Sequence, residues 1–385
     1  MIAIGLMSGT SFDGVDAALV RIVPMAHGYE IETLDFVTRP YDAEVVERLA
    51  ALLPPHAGST AEVAELHRRI GEQFGLAARA VAAGTPVDFV ASHGQTIWHD
   101  GDRSVTLQIG DPFAIREAMR ATVCYDFRSG DTAAGGCGAP LVPYVDALLL
   151  ASEDEERVAL NLGGIANLTL LPRGIRRGAD GAFDVVAFDT GPANMLMDAF
   201  VAERTRGRQR YDRDGELGVR GFVHDRLLEA MLAEPYFAKE PPKSTGRERF
   251  GAQFLARYAA SLEALELEDG VATLAELTAA TVADQIAKRM PAARVLVAGG
   301  GARNPALLAR LQARLPQARV ETTAMMGIDP DAKEAIAFAV LGCETLRGRG
   351  ANVPRATGAS RSVPLGAIAP HDLARLLTRI EAECG

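Results

Sequence analysis

The residues best suited to chemistry in this sequence lie in short polar segments that directly follow apolar runs. The first segment sets hydroxyl and carboxylate side chains between two glycines: Gly9, Thr10, Ser11, Phe12, Asp13, Gly14, Val15 and Asp16. Glycine lets backbone amides converge on an anion, and the hydroxyls add donors. The two carboxylates would repel a bare phosphate, but they suit a hydrated Mg²⁺ beside it. The segment predicts a phosphate-binding turn with a metal, or else an ordinary Gly/Asp hairpin.

Three further positions offer groups for acid–base or hydrogen-bond chemistry. His93 and Gln95 follow one short apolar run, and Asp189 follows another. The end of a strand is where an open α/β sheet usually binds its ligand, although a histidine in a satisfied turn is an equally ordinary interpretation. Glu334 stands at the start of the last long helical pattern, where a carboxylate also simply favours the helix dipole. Spacing alone assigns these side chains no single role.

The second half of the sequence contains two more glycine turns. Their candidate residues are Asn161, Gly163 and Gly164 in the first, and Gly299, Gly300, Gly301 and Asn304 in the second. Bare glycine backbone beside a helix N-terminus suits a planar base and ribose, or an anion. Neither turn has the GxGxxG pattern of dinucleotide-binding folds, and the sequence lacks the Gly-Lys pair of a P-loop.

An insertion at about residues 204–260 interrupts the alternation of helices and strands. It is rich in charged residues, and it contains a basic, hydroxyl-bearing loop at 241–248 that includes Arg247. The loop predicts either a solvated connection or a flap that supplies cations to an anionic substrate.

The periodicity of apolar residues indicates which elements carry these groups. Each half has the same order, which is a glycine hairpin, a third strand, and then helices alternating with strands. That order predicts an α/β protein with a duplicated architecture rather than one doubly wound sheet. We expect an N-terminal α/β domain of residues 1–130 plus about 365–385, and a C-terminal α/β domain of residues 131–364. The glycine-rich segment 130–140 is the predicted hinge.

Composition excludes several classes of protein. A net charge of −10 over 385 residues argues against a nucleic-acid-binding protein, which needs a basic face. No apolar run approaches the roughly 20 residues that span a bilayer, and no basic region precedes the first apolar residues as in a signal peptide. The four cysteines lack the spacing of a zinc site or disulfide framework. We therefore expect a cytoplasmic protein that binds neither nucleic acid nor membrane.

Six segments of the sequence together resemble the motifs of one known family. They are GLMSGTSFDGVD at 5–16, SHGQT at 92–96, NLGGIAN at 161–167, FDTGPAN at 188–194, KSTGRE at 243–248 and KEA at 333–335. In this order they are similar to the motifs of anhydro-N-acetylmuramic acid kinases, a family of the actin, sugar kinase and Hsp70 superfamily. One departure is Cys137, where the family usually has Gln, and it puts any substrate contact at that position in doubt.

The resemblance implies a fold and a reaction. The fold would be two ribonuclease H-like α/β domains with an interdomain cleft. The reaction would use ATP, Mg²⁺ and water to open the 1,6-anhydro ring of anhydro-N-acetylmuramic acid and to phosphorylate O6. The products would be N-acetylmuramic acid 6-phosphate and ADP, made in peptidoglycan recycling, and the family suggests a homodimer.

The resemblance also implies roles for the candidate residues. Asp189 matches the catalytic base, and Glu334 matches a second carboxylate that helps to hold the water. His93, Gln95 and Asn167 would line the sugar pocket, and Arg247 would meet the lactyl carboxylate. The nucleotide would contact residues 9–16 and both later glycine turns, with adenosine at Gly299, Gly300 and Gly301. Asp13 would hold the Mg²⁺, directly or through water.

Two other functions compete with this interpretation. A plain hydroxyl kinase of the same superfamily would use Asp189 to deprotonate a sugar hydroxyl, and it would consume no water. An ATP-gated binding protein of the Hsp70 or actin type would instead couple hydrolysis to movement. We expect no separate peptide-binding domain after the last motif, and the substrate motifs favour the anhydro-sugar.

Overall fold

The chain folds into two compact units. The structure is a computed structural model that describes residues 1–9, 12, 14–25, 28–53, 58–178 and 181–384. Unit 1 comprises Met1–Leu149, Arg176–Asp184 and Gly327–Gly385, and unit 2 comprises Leu150–Ile175 and Val185–Met326. Each unit has its own hydrophobic core. No helix among the described residues has the length and apolar character needed to cross a membrane.

Unit 1 is built on a mixed sheet covered by helices. Its elements are β1 (Ile2–Ser8), β2 (Gly14–Met25), β3 (Gly28–Pro40), α1 (Ala43–Leu52), α2 (Thr60–Ala82), β4 (Phe89–Asp100), β5 (Val105–Ile109), α3 (Pro112–Met119), β6 (Thr122–Tyr125), α4 (Ser129–Ala133), α5 (Val142–Leu150), and, after unit 2, α14 (Lys333–Leu346), α15 (Pro354–Thr357), β12 (Ala367–Ala369) and α16 (Leu373–Cys384). The strand order is β12-β6-β4-β1-β2-β3, and β5 pairs with β4. Strands β1 to β3 are antiparallel, whereas β4 and β6 run parallel to β1.

Unit 2 repeats this plan. Its elements are β7 (Arg157–Leu162), β8 (Ile165–Leu171), β9 (Val186–Pro192), α6 (Asn194–Arg204), α7 (Glu216–Arg220), α8 (Asp225–Leu232), α9 (Arg247–Phe250), α10 (Ala252–Arg257), α11 (Ala259–Glu263), α12 (Leu267–Arg289), β10 (Arg294–Ala298), α13 (Pro305–Arg314) and β11 (Arg319–Thr322). The strand order is β11-β10-β7-β8-β9. Strands β7 to β9 are antiparallel, and β10 and β11 continue the sheet parallel to β7.

The two sheets therefore share one topology. Unit 2 has the order 3-2-1-4-5 counted from its own first strand, and unit 1 has the same order when β5, which pairs only with β4, is left out of the count. Each is an antiparallel meander followed by two parallel strands, and unit 1 adds the antiparallel β12 beside β6. This is the order of a ribonuclease H-like sheet, and its presence in both units confirms the predicted duplicated α/β architecture. The glycine hairpins predicted at the start of each half are the β1–β2 and β7–β8 connections.

The helices also begin where local sequence predicts. Helix α2 starts at a capping box, in which the Ser59 hydroxyl accepts from the Glu62 amide and the Glu62 carboxylate accepts from the Ser59 amide. Helix α3 starts with Pro112 after Asp111, whose carboxylate accepts from the Phe113 amide. These caps determine where α2 and α3 begin in unit 1.

Three segments lie in a different unit from the expected domain. Residues 131–149 and 327–364 belong to unit 1, and so does the excursion 176–184 between β8 and β9. The cause is close packing, because a Cβ at Gly5 of β1 would lie 1.8 Å from the Ala335 carbonyl oxygen of α14. A Cβ at Gly28 would likewise lie 2.7 Å from the Leu148 carbonyl oxygen of α5. The glycine-rich segment 130–140 thus lies inside unit 1, and the first crossing falls at the end of α5.

The segment predicted as an insertion contributes to the core of unit 2. Tyr236, Phe250 and Phe254 are fully buried in the same apolar cluster as the strands β7, β8 and β10. The Phe250 ring lies 5.5 Å from that of Tyr236 and 5.3 Å from that of Phe254. Because three large aromatic side chains are buried in the core, these residues have a structural role. That role is separate from any role of the loop at 241–248.

Candidate active site

In unit 1, Gln95 braces the turn between β1 and β2. Its side chain is fully buried, and its Nε2 donates to the Gly9 carbonyl oxygen at 3.0 Å. The Ser8 hydroxyl lies 2.7 Å from both Gln95 Oε1 and the Gly14 carbonyl oxygen, so that it can donate to either. Tyr41 also donates to Gln95 Oε1, at 3.2 Å. The side chain expected to contact a sugar is therefore engaged with the ends of the glycine turn.

The turn itself is described only in part. Thr10, Ser11 and Asp13 lie outside the described residues, and their roles at a phosphate and a metal stay predictions. Among the other residues of this segment, Val15 is buried in β2, and Asp16 accepts from the Thr38 hydroxyl at 2.6 Å. Phe12 has a φ of 58° and packs against the core of unit 1. The described part of the chain contains no cluster of three His, Cys, Asp or Glu side chains that could hold a metal.

His93 is locked in one neutral form by an arginine that sequence reasoning missed. Arg128 Nε donates to His93 Nε2 at 3.0 Å, and since arginine only donates, that ring nitrogen must carry the lone pair. His93 Nδ1 then carries the proton and donates to the Gly94 carbonyl oxygen at 2.9 Å. Burial, and then the neighbouring Arg128 charge, hold the pKa of His93 well below its usual range. The ring is a fixed hydrogen-bonding group and does not exchange protons near neutral pH.

A small polar cavity adjoins His93 in unit 1. It has a volume of about 130 Å³ and is lined in part by Ser92, His93, Gln108, Tyr125 and Ser129. The Ser92 hydroxyl is buried and has no hydrogen-bond partner among the described residues. Hydroxyl and amide groups around a cavity of this size suit a polar substituent of a small molecule.

Glu334 stands at the start of α14 beside a buried ion pair. Lys333 Nζ lies 2.6 Å from Asp146 Oδ1, and the two side chains are 9% and 5% exposed. Burial lowers the pKa of Arg128 to about 10, and the charge of Glu334 opposes that shift. The predicted second carboxylate thus lies within electrostatic range of the arginine that holds His93. Arg128 lies three residues after the end of β6, and no local sequence signal marks it.

In unit 2, three predicted site residues form one row across the sheet. Asn161 of β7 is paired with Asn167 of β8, and Asn167 is paired with Asp189 of β9. Directly opposed residues of antiparallel strands have side chains on the same face. The sequence places these residues 6 and 22 positions apart, and the sheet brings them side by side.

Asp189 forms three hydrogen bonds with the chain around residues 236–245. The Thr245 amide donates to Asp189 Oδ2 at 2.9 Å, and the Tyr236 hydroxyl donates to the Asp189 carbonyl oxygen at 2.9 Å. The Asp189 amide donates to the Lys243 carbonyl oxygen at 3.2 Å. Burial raises the pKa of Asp189 to about 6, against the opposing effect of the Thr245 amide. A carboxylate with this pKa is suited to general-base catalysis near neutral pH.

The two cations of the KSTGRE segment have different environments. Lys243 is buried, its Nζ donates to the Phe237 carbonyl oxygen at 3.3 Å, and it lies 5.0 Å from the centre of the Tyr236 ring. Arg247 is exposed at the start of α9, and its guanidinium forms no ion pair with any described residue. Lys243 therefore supports the loop, whereas Arg247 is available for an anionic ligand.

The two glycine turns of unit 2 are positioned by helix N-termini. Asn194, at the start of α6, donates from its amide to the Gly163 carbonyl oxygen at 3.0 Å, and the Met195 amide donates to that of Gly164 at 3.2 Å. Asn304 caps α13, because its Oδ1 accepts from the Leu307 amide at 3.0 Å. Asn304 Nδ2 is then the side-chain atom that remains for the predicted nucleotide contact.

The three consecutive glycines have unequal surroundings. A Cβ at Gly299 would lie 2.4 Å from Asn161 Oδ1, and a Cβ at Gly301 would lie 2.6 Å from Leu162 Cβ. A Cβ at Gly300 would have only Asn194 Nδ2 within 4 Å, at 3.9 Å. Gly299 and Gly301 thus allow the turn to pack on β7, whereas Gly300 borders open space.

The duplicated ribonuclease H-like sheets and the glycine turns define a protein of the actin and sugar kinase fold class, with the half-buried carboxylate of Asp189 in the middle of β9. The family model described as anhydro-N-acetylmuramic acid kinase matches residues 1–371. A relative of that name from Xanthomonas campestris pv. campestris is 47% identical over 95% of this chain and 97% of its own. Another, from Caldanaerobacter subterraneus subsp. tengcongensis, is 40% identical over 95% of this chain and 96% of its own. The chain belongs to the anhydro-N-acetylmuramic acid kinase family.

Proposed function

We propose that this kinase opens the 1,6-anhydro ring of 1,6-anhydro-N-acetylmuramic acid with water and phosphorylates O6 from ATP. The products are N-acetylmuramic acid 6-phosphate and ADP, and the reaction serves the recycling of peptidoglycan in the cytoplasm. The observation that carries the proposal is the half-buried Asp189, which stands in one strand row with Asn161 and Asn167 and accepts from the Thr245 amide. Its pKa, raised to about 6, suits a base that activates water. Family membership supplies the substrate.

In the proposed reaction Asp189 takes a proton from water as the water oxygen attacks the anomeric carbon. The bond from C1 to O6 breaks through an oxocarbenium-like state, and O6 takes the γ-phosphoryl group as ADP leaves. The free Oδ1 of Asp189 is the proton acceptor, since the Thr245 amide occupies Oδ2. Glu334 is the second carboxylate that the family resemblance assigns to the proposed reaction.

We assign the sugar contacts to Asn167 and Arg247 in unit 2 and to His93 in unit 1. Asn167 adjoins Asp189 in the strand row, and the exposed Arg247 has a guanidinium free for a bidentate contact with the lactyl carboxylate. In unit 1, His93 contributes through its fixed ring and the polar cavity beside it. Gln95 acts by holding the phosphate-binding turn. We further propose that the enzyme is a homodimer, as the family suggests.

The nucleotide and metal roles rest on the glycine turns. The proposal assigns ATP phosphates to residues 9–16 and to the turn at Gly163 and Gly164, and adenosine to the turn at Gly299–Gly301. Mg²⁺ prefers carboxylate oxygens and retained water, and the oxygen-bearing side chains of Asp13 and Asp16 fit that preference. Bound Mg²⁺ would neutralise phosphate charge.

The decisive experiment follows the oxygen of water into the product. Anhydro-N-acetylmuramic acid and Mg-ATP are incubated with the enzyme in ¹⁸O-water, and the products are analysed early by mass spectrometry. We expect N-acetylmuramic acid 6-phosphate with one heavy oxygen at C1 and none in the phosphate. A phosphorylated sugar that retains its anhydro ring would instead establish the plain hydroxyl kinase. ATP hydrolysis without any sugar would favour an ATP-gated binding protein.

The pH dependence of the rate should report the ionisation of Asp189. A base works only when ionised, so a pKa raised to about 6 makes kcat/KM fall as the pH drops through 6. An aspartate with an ordinary pKa of about 3.9 would keep the enzyme active to about pH 4. Because the Glu248 charge contributes to the raised pKa, Glu248→Gln should move the acidic limb to lower pH. A limb that stays near pH 4 in the wild-type enzyme would contradict this assignment.

A side chain at Gly300 should weaken ATP binding without disturbing the fold. Gly300→Val projects into open space, so we expect an increase of about tenfold or more in the KM for ATP, equivalent to at least about 1.4 kcal/mol, and an unchanged Tm. Gly299→Ala is the contrasting variant, because φ is +78° there and the new Cβ would meet Asn161 Oδ1. It should lower the Tm. An unchanged KM in Gly300→Val would remove adenosine from this turn.

A further inference from the structure

The hydroxyl of Thr245 is buried beside the proposed base, and no described residue forms a hydrogen bond with it. The Thr245 amide donates to Asp189 Oδ2 at 2.9 Å, while Thr245 Oγ1 is buried without a partner among the described residues. A buried hydroxyl usually finds a partner, because leaving one unpaired is costly. Since no described residue bonds this hydroxyl, its position points to a small polar molecule as the partner.

The position of this hydroxyl is fixed from several sides. The Tyr236 hydroxyl and the Lys243 carbonyl oxygen both bond the backbone of Asp189, and the Thr245 amide bonds its side chain. Phe250, which follows Thr245 by five residues, is fully buried in the core of unit 2. The Thr245 side chain is therefore held next to the carboxylate by packed and hydrogen-bonded chain on both sides.

We propose that Thr245 Oγ1 holds the water that Asp189 activates, an inference that rests on the function proposed above. The attacking water has two hydrogens and needs an acceptor for each while its oxygen points to C1. Asp189 Oδ1 accepts the hydrogen that is transferred as a proton, and Thr245 Oγ1 accepts the hydrogen that stays on the oxygen. The O–H pair of electrons forms the bond to C1, the C1–O6 pair goes to O6, and O6 takes the phosphoryl group.

A water held at two points attacks more efficiently than one held at a single point. Misplacing a reacting group by about 1 Å can cost about 100-fold in rate. Loss of the Thr245 hydroxyl should therefore lower kcat, while ATP binding and the ionisation of Asp189 stay the same. The amide that bonds Asp189 Oδ2 belongs to the backbone, and it persists whichever side chain stands at 245.

The test compares Thr245→Val with Thr245→Ser. Valine keeps the shape and the amide but removes the hydroxyl, so we expect kcat to fall by about 10-fold to 100-fold. The KM for ATP and the pH of the acidic limb should not change. The Tm should be equal to that of the wild type or higher, because an unpaired buried hydroxyl has been replaced by a methyl group. Serine restores the hydroxyl and should restore most of kcat.

Several outcomes would overturn the inference. Wild-type kcat in Thr245→Val would show that the hydroxyl does not hold the water. A fall in kcat accompanied by a lower Tm, with no recovery in Thr245→Ser, would show a packing role. If the wild-type enzyme forms N-acetylmuramic acid 6-phosphate, these results concern Thr245 alone. If the wild-type enzyme forms no such product, the proposed function and this inference fail together.

Discussion

Asp189→Asn is expected to lower kcat on anhydro-N-acetylmuramic acid by about 10²-fold to 10⁴-fold, the usual effect of removing a general base. Asparagine has the same size, and its side-chain oxygen can still accept from the Thr245 amide. It cannot take a proton from water. Since the variant removes one negative charge, the affinity for ATP should be unchanged or slightly higher. Steady-state kinetics and a binding titration with ATP measure the two effects separately.

Unit 2 offers a matched control for this variant. Asp198 of α6 is also a partly buried carboxylate, and burial together with the charge of Asp212 raises its pKa to about 7. It lies outside the strand row that contains Asp189. Asp198→Asn should leave kcat close to that of the wild type. If Asp189→Asn instead retains wild-type kcat, Asp189 is not the base, and Glu334 becomes the leading candidate.

Lys333→Met should lower the free energy of unfolding by about 3–5 kcal/mol, because it leaves the Asp146 charge buried without its partner. The ammonium and carboxylate are 2.6 Å apart, and both side chains are almost fully buried in unit 1. The measurement is urea unfolding monitored by circular dichroism. Removing both charges together, as in Lys333→Met with Asp146→Leu, should recover much of the loss.

An exposed ion pair of the same type provides the comparison. Lys288 and Asp284 lie on consecutive turns of α12, 2.7 Å apart, with about half of each side chain exposed. Exposed pairs at this spacing contribute about 0.3–0.5 kcal/mol, so Lys288→Met should have a small effect. Equal effects of the two lysine variants would mean that burial does not determine the strength of the pair in unit 1.

Sequence patterns were sufficient for most of the fold. The antiparallel hairpins, the capping box at Ser59 and the helix opening at Pro305 are local features, set by residues a few positions apart. The domain boundaries were less predictable. A glycine-rich segment was expected to be the hinge, but the carbonyl of Ala335 packs against Gly5, more than 300 residues away. Only long-range packing determines that helix α14 belongs with unit 1.

Sequence reasoning found candidate site residues where polar side chains follow apolar runs, but their expected place at strand ends is wrong. The strands continue past the apolar runs, so that His93 and Gln95 lie inside β4 and Asp189 in the middle of β9. Asn161, Asn167 and Asp189 were chosen separately, and the sheet aligns them. Arg128 and the hydroxyl of Thr245 were missed as chemical groups, since nothing local distinguishes them from other polar residues. Their importance lies in what surrounds them. Arg128 fixes the histidine tautomer, and the Thr245 hydroxyl stands beside a carboxylate without a partner among the described residues.

The division of unit 1 into three chain segments has a consequence for synthesis on the ribosome. Strand β1 is made first, yet α14, which covers Gly5, and β12, which completes the sheet beside β6, emerge only after all of unit 2. One face of β1 in nascent unit 1 therefore stays uncovered while residues 185–326 are translated. Unit 2 can complete its sheet earlier, although it starts later. The N-terminal half of this enzyme is the last to finish folding.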